Sequence, residues 1–126
     1  DERYMGWAQQ NAELLGSSLQ VSHDIDSTYA NADVVYAKSW GALPYFGNWA
    51  EEKPMRENFQ HFIVDEHKMA LTNNAVFSHC LPLRRNIKAT DAVMDSPNCI
   101  AIQEAENRLH VQKAIMDSLI NHPEIN

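Results

Sequence analysis

At 126 residues the chain makes one domain at most, and it is long enough to bury a core covering well over half of its unfolded surface. A hydrophobic content of 44% and a charged content of 21% are ordinary for a soluble globular protein, and no apolar run approaches the roughly 20 residues that a membrane helix needs. A net charge of −7 argues against non-specific nucleic-acid binding, which requires a basic face, and makes the few clustered cations stand out.

Residues 2–15 read as a helix, with Tyr4, Trp7, Ala8, Asn11, Leu14 and Leu15 forming a mostly apolar stripe and Gly16 a stop. Leu19 to Ser22 reads as a short strand, and Asp24 can cap a short helix over 25–31 by accepting a bond from an orphan backbone N–H. Residues 33–37 form the clearest buried strand. A long loop over 38–54 follows, holding Trp40, Pro44, Gly47 and Trp49, and a loop of that length in a compact domain is usually functional or mobile. Helices are predicted over 55–62 and 65–72, the second capped by Asp65, and a strand over 76–79. Thr90 or Asp91 opens a short helix, residues 96–98 make a turn, and 99–102 read as the last strand. The final helix covers about 104–121, with Val111, Ile115 and Leu119 on one face, and His122-Pro123 ends it.

This order predicts an α/β domain, a small doubly wound parallel sheet of four strands with flanking helices, Rossmann-like in type. So small a sheet exposes much surface unless it packs on another domain or subunit. Cys80 and Cys99 make no disulfide framework, and a reducing cytoplasm is the expected compartment. The charged start has no signal-peptide character, and a first residue other than Met fits a fragment or a processed piece.

The chemistry concentrates at three strand ends, which a parallel sheet brings to one rim. The first delivers Lys38, Ser39, Trp40 and Gly41. The second delivers His79, Cys80, Leu81 and Pro82, then Arg84, Arg85 and Lys88. The third delivers Glu104, Glu106 and Arg108. Four or five cations, an imidazole and a thiol suit a carboxylated or phosphorylated small molecule and the stabilisation of developing negative charge. With four glycines in all, neither a GxGxxG nor a Walker sequence exists, and no His or Cys spacing makes a metal site; no cofactor is expected. Each residue alone has a plainer reading. His79 fits a buried, hydrogen-bonded residue and Cys80 or Cys99 a small core residue. Arg84 and Arg85 fit a solvated loop face, Trp40 and Trp49 packing residues, and Glu104 and Glu106 dipole-favoured positions in a first helical turn.

Read together, the segments His79-Cys80-Leu81-Pro82, Thr90-Asp91, Ser96-Pro97-Asn98 and Glu104-Ala105-Glu106-Asn107-Arg108 resemble the ordered motif set of the carbamoyltransferases that act on ornithine-like acceptors. The likeness is to their second, amino-acid-binding domain and covers nearly all of residues 1–126. Two departures from the ordinary ornithine pattern, Lys38-Ser39-Trp40-Gly41 and Leu83-Arg84-Arg85-Asn86-Ile87-Lys88, look like the branch that takes N-acetylornithine, with its N-succinylornithine relatives. The change also follows electrostatics: acylation removes the α-ammonium and leaves the carboxylate dominant, so cations replace an acid.

The resemblance implies transfer of a carbamoyl group from carbamoyl phosphate to the side-chain amine of an N-acylated ornithine. His79 would donate to the carbamoyl oxygen, and Arg108 would hold the carbamoyl phosphate side. Cys80 and the Leu81 carbonyl would lie against the attacking amine, and Lys38, Ser39 and Arg84 would hold the acceptor's carboxylate end, beside Trp40. Lys88 counts as a substrate-binding residue and as a candidate for carboxylation, since a crowded cationic site depresses an amine's pKa. The family's carbamoyl-phosphate domain has no counterpart in this sequence, and its active sites lie between subunits of a homotrimer, so the chain reads as one incomplete half of a two-domain enzyme. A free-ornithine or N-succinylornithine acceptor, or a non-catalytic binding domain that kept the fold, stays open. The aspartate branch is disfavoured by Cys80-Leu81-Pro82, where that branch has Arg-Pro, and putrescine by its lack of a carboxylate for Lys38 and Arg84. Neither nucleic acid nor membrane is an expected partner.

Overall fold

The computed structural model describes residues 2–38, 40 and 43–121. Helix α1 spans Glu2–Leu14, and Gly16, at φ +67°, turns the chain out of it. The amide of Ser17 donates to the Ala12 carbonyl at 2.8 Å and that of Gly16 to Glu13 at 3.3 Å, a helix ending for which a left-handed glycine is best suited. Helix α2 (Ile25–Tyr29) starts where Asp24 accepts from the Ser27 amide, as its sequence predicts. Strand β1 (Val34–Tyr36) leads through Trp40 and a 3-10 turn at Leu43–Tyr45 to helix α3 (Trp49–Glu57). A second 3-10 turn (Gln60–Phe62) precedes helix α4 (Glu66–Ala70), whose Asp65 cap accepts from the Lys68 amide at 2.8 Å. Strand β2 (Val76–Ser78), helix α5 (Asp91–Met94, capped by Thr90) and helix α6 (Ala101–Asn121) complete the order.

The α/β class with a parallel sheet and flanking helices holds, but among the described residues the sheet has two strands rather than four. β1 and β2 pair in parallel, Val34 with Val76, Val35 with Phe77 and Tyr36 with Ser78. The expected strand at 99–102 shrinks to one bridge, Phe77 with Cys99, held by bonds from the Phe77 amide to Asn98 (2.9 Å) and from the Ile100 amide to Phe77 (2.8 Å). The Glu104 amide then bonds Ile100 at 3.0 Å, so α6 takes over the rest of that apolar run, where Ala, Gln and Glu favour a helix. Residues 19–22 form no strand; Leu19 and Val21 are exposed and find no ladder, and an extended segment gains little without one.

A further correction concerns the 38–54 loop. Helix α3 begins at Trp49 and runs through Pro54, where the sequence reading ended the loop and began a helix one residue later. Proline in a helix interior costs a hydrogen bond. The Glu52–Arg56 ion pair at 2.6 Å and the stacking of Arg56 on the Trp49 ring at 5.6 Å tie the two turns that flank it.

The core is compact and lies on the sheet: Val35, Ala37, Val64, Ala75, Phe77, Ala89 and Val93, with Tyr29, Met69, Leu83, Met94 and Cys99 against it. The apolar stripes of α1 and α6 lie outside it, with Trp7, Leu14, Val111, Ile115, Leu119 and Ile120 all exposed. Among the described residues no helix is long and apolar enough to cross a membrane.

Candidate functional site

Because β1 and β2 run parallel, their carboxyl ends share a rim, and Lys38 and Trp40 emerge beside His79, Cys80 and Leu81. Lys38 Nζ donates to Cys80 Sγ at 3.3 Å. That bond, and after it the nearby Tyr36 hydroxyl, lowers the thiol's pKa below its ordinary 9.0. The Tyr36 hydroxyl donates to Glu104 Oε1 at 3.0 Å, which pushes the phenol up to about 12. Ser78 Oγ donates to the other oxygen of Glu104. One carboxylate in the first turns of α6 therefore grips the ends of both strands, a role that its helix-dipole position in the sequence does not reveal. Near neutral pH, Cys80 is expected to react with iodoacetamide faster than Cys99, and Lys38→Met to slow it by about threefold or more, because the thiolate is the nucleophile. Peptide mass spectrometry over a time course measures both rates; an unchanged Cys80 rate in the variant would remove Lys38 as its activator.

His79 is 3% exposed. The Leu81 amide donates to its Nδ1 at 2.9 Å, so Nδ1 is an acceptor and the ring proton resides on Nε2. Nε2 is buried and without a partner among the described residues. Burial, and then Lys38, hold the imidazole's pKa below its ordinary 6.5, so at neutral pH His79 is an uncharged donor. The geometry that orients it uses an uncommon backbone: Leu81 has φ +42° and a cis bond to Pro82 follows. A left-handed leucine costs about 1–3 kcal/mol, and such strain gathers where function over-determines the chain.

Lys88 is 3% exposed, and its Nζ lies 3.8 Å from the centroid of the Trp40 ring. The Val64 amide fixes its carbonyl at 2.9 Å, and the turn from Arg84 is closed by Asn86, at φ +58°, which exchanges side-chain bonds with Asp91. Burial, then Arg56 and Arg84, lower the amine's pKa from its ordinary 10.5. Arg56 comes from α3 and was not among the residues that the sequence singled out. Its spacing from Glu52 and Trp49, four and seven residues, is the signal that a correct helix start would have exposed.

These side chains line two connected regions. A cavity of about 210 Å³ is bounded by Arg56, His79, Pro82, Leu83, Arg84 and Lys88, with three cations and no carboxylate in its wall. A larger cleft of about 420 Å³ lies against Trp40, Trp49, Arg56, Arg84 and Lys88. Cys80, Leu81, Pro82 and Arg108 instead line an open groove with Ala105, Leu109 and Gln112. The predicted residues thus fall on two sides of the His79–Pro82 segment, with Arg108 on the α6 side and Arg84 and Lys88 on the α3 side. Arg85 belongs to neither. It pairs with Asp91 at 2.8 Å and Asp95 at 2.6 Å and fastens the loop to α5. Ser39 and Gly41 lie outside the described residues. Among the described residues no group of three or more His, Cys, Asp or Glu could hold a metal ion. The arrangement can bind an anion and donate a neutral hydrogen bond to an oxygen that gains charge.

The family model described as aspartate/ornithine carbamoyltransferase, Asp/Orn binding domain, matches residues 1–119. The chain is 81% identical over 120 residues to an N-acetylornithine carbamoyltransferase of Xanthomonas campestris pv. campestris, covering 95% of this chain and 35% of that protein. It is 39% identical over 121 residues to an ornithine carbamoyltransferase of Pyrococcus abyssi, covering 95% of this chain and 37% of that one. Among solved structures, acetylornithine transcarbamylase complexed with acetylcitrulline superposes with a TM-score of 0.85 at 82% identity, over 94% of this chain and 36% of that chain. The chain therefore spans little more than a third of the length of the relatives it matches.

Proposed function

The chain belongs to the aspartate/ornithine carbamoyltransferase family, and from that premise we propose that residues 1–126 are the amino-acid-binding half of an enzyme that carbamoylates the side-chain amine of an Nα-acylated ornithine. The donor is carbamoyl phosphate, bound chiefly by a second domain outside this sequence, and the product from N-acetylornithine is N-acetylcitrulline, a step of arginine biosynthesis. The enzyme works in the cytoplasm as a homotrimer.

The observation that carries this reading is the composition of the cavity beside His79: Arg56, Arg84 and Lys88 with no acid. Such a wall suits an acceptor whose α-carboxylate is present and whose α-ammonium has been removed by acylation. In the reaction the neutral amine attacks the carbamoyl carbon, the oxygen gains charge, and phosphate leaves. His79 Nε2–H donates to that oxygen, and its depressed pKa keeps the donor uncharged until then. Lys38, Ser39 and Arg84 hold the acceptor's carboxylate end against Trp40. Cys80 and the Leu81 carbonyl orient the amine, and Arg108, on the groove side of Cys80, holds the carbamoyl phosphate side. Catalysis by positioning and charge stabilisation needs no covalent enzyme intermediate. Lys88, a buried amine with a lowered pKa, is a candidate for carboxylation.

The test is carbamoyl transfer by the protein completed to the length of its relatives, offered ornithine, N-acetylornithine and N-succinylornithine in turn. A strong preference for N-acetylornithine is expected, and negligible turnover from the 126-residue chain alone. Preference for N-succinylornithine would keep the cationic reading and change the acyl group. Preference for free ornithine would refute the reading of the cavity, and no transfer to any acceptor would favour a binding domain that kept the fold.

A further inference from the structure

Tyr36 and Ser78 are partners on the last rung of the sheet, and each carries a hydroxyl. Glu104 takes both protons. The Tyr36 hydroxyl donates to Oε1 at 3.0 Å, and Ser78 Oγ donates to Oε2. Ser78 is buried, so its hydroxyl needs such a partner. The chemistry begins just past this rung: Lys38 lies two residues beyond Tyr36, His79 follows Ser78, and Cys80 comes next. The charge of Glu104 reaches the same residues. On the His79 imidazole, burial and Lys38 lower the pKa, Glu104 raises it and Lys88 lowers it. On Cys80, the bond from Lys38 and then the Tyr36 hydroxyl lower it. A phenol has one proton, so Glu104 and the Cys80 thiolate compete for that of Tyr36.

We propose that Glu104 is a positioning residue for the transfer reaction: its two oxygens fix the rung from which Lys38, His79 and Cys80 emerge, and its charge opposes that of Lys38 across them. Glu104 lines neither the two cavities beside His79 nor the groove beside Cys80, so it acts through the groups that do. A carboxylate accepts two hydroxyl protons at once, one on each oxygen, whereas an amide of the same size has one accepting oxygen. Both strand ends are thereby tied to the first turns of α6, the helix that carries Arg108 to the groove. Catalysis by positioning is sensitive to small displacements of such a frame. The acid also keeps Lys38 from acting on His79 and Cys80 as an unopposed charge. The effect on rate rests on the proposed function; the effect on the thiol rests on the contacts alone.

The test uses the protein completed to the length of its relatives. Glu104→Gln keeps the size and removes the charge, and kcat falls by about tenfold or more while the acceptor's KM rises by less. The acid limb of the rate profile moves to lower pH, because His79 loses the group that raised its pKa. Alkylation of Cys80 by iodoacetamide becomes about threefold faster or more on the acid side of its pH profile, since the thiolate gains the Tyr36 proton and loses a neighbouring negative charge. Glu104→Asp keeps the charge and shortens the reach, so both pH profiles stay near wild type while kcat recovers only in part. Loss of kcat in Glu104→Gln with neither profile moved reduces Glu104 to a structural support and overturns the proposal. So does a Glu104→Gln protein of unchanged circular dichroism whose kcat and profiles match wild type. If Glu104→Gln loses the fold, Tyr36→Phe decides: a lower kcat with the Cys80 profile moved to higher pH supports the proposal, and unchanged values overturn it. If the completed wild-type protein transfers to no acceptor, the proposed function fails, and the Cys80 profile of Glu104→Gln decides this inference by itself.

Discussion

His79→Ala is expected to lower carbamoyl transfer by about 10²–10³-fold in the protein completed to its relatives' length, the loss found on removing one pre-aimed donor to a developing oxyanion. The expectation comes from how the imidazole is held. The Leu81 amide occupies Nδ1 at 2.9 Å, so the ring is held in one orientation in the cavity wall with its proton on the unpartnered Nε2. That orientation is set before substrate arrives, and a donor that needs no reorganisation is worth most where water is excluded. The pH dependence follows from the same contacts. Burial and Lys38 lower the imidazole's pKa below 6.5, so transfer should persist as pH falls through 6.5 and fail only at the lower folded value. Below that value a second ring proton on Nδ1 would expel the Leu81 amide bond. The stability sign agrees: above 6.5 the folded and unfolded imidazoles are both neutral and nothing is lost, whereas between the two values the unfolded chain binds the proton first and the fold weakens. Rates across pH for wild type and variant, with melting temperatures alongside, measure this. A loss under tenfold in a folded variant would leave His79 a packing residue.

Phe77→Ala should destabilise the domain by about 3–5 kcal/mol, a large part of the 5–15 kcal/mol that holds a typical domain together. Phe77 is 0% exposed and is the largest fully buried side chain among the described residues. It lies opposite Val35 on one side and Cys99 on the other, at the one register position where three segments meet. Its backbone exchanges bonds with Asn98 and Ile100, so the variant would empty the centre of the core while leaving the ladder to span the gap. Urea unfolding followed by circular dichroism measures the change. A shift below about 1 kcal/mol would mean that the sheet is not the stabilising unit, contrary to what cavity formation in a core costs.

Much of this site was legible in the sequence because its signals are local. His79, Cys80 and Leu81 follow a short apolar strand directly, and Lys38 and Trp40 follow another. Once the strands are parallel, the contacts of Lys38 with Cys80 and of Lys88 with Trp40 follow. Arg56 escaped because a proline was read as a boundary, whereas packing and an ion pair carry the helix across it. Arg84 and Arg85 are equivalent as letters. Only the turn at Asn86 decides that one faces the cavity and its neighbour faces Asp91 and Asp95. The last strand was over-read because an apolar run of four residues serves a bridge at Cys99 and the first turn of α6 equally well.

The grip of Glu104 on Tyr36 and Ser78 divides α6 into two functional lengths. Arg108 lies one turn beyond Glu104 on the same side of the helix, so its place in the groove beside Cys80 depends on that anchor together with the backbone bond from Ile100 to Phe77. The helix continues to Asn121, and the apolar side chains of those later turns are exposed. Substitutions at the exposed Ile115, Leu119 and Ile120 are therefore expected to leave the geometry at the other end of the helix unchanged.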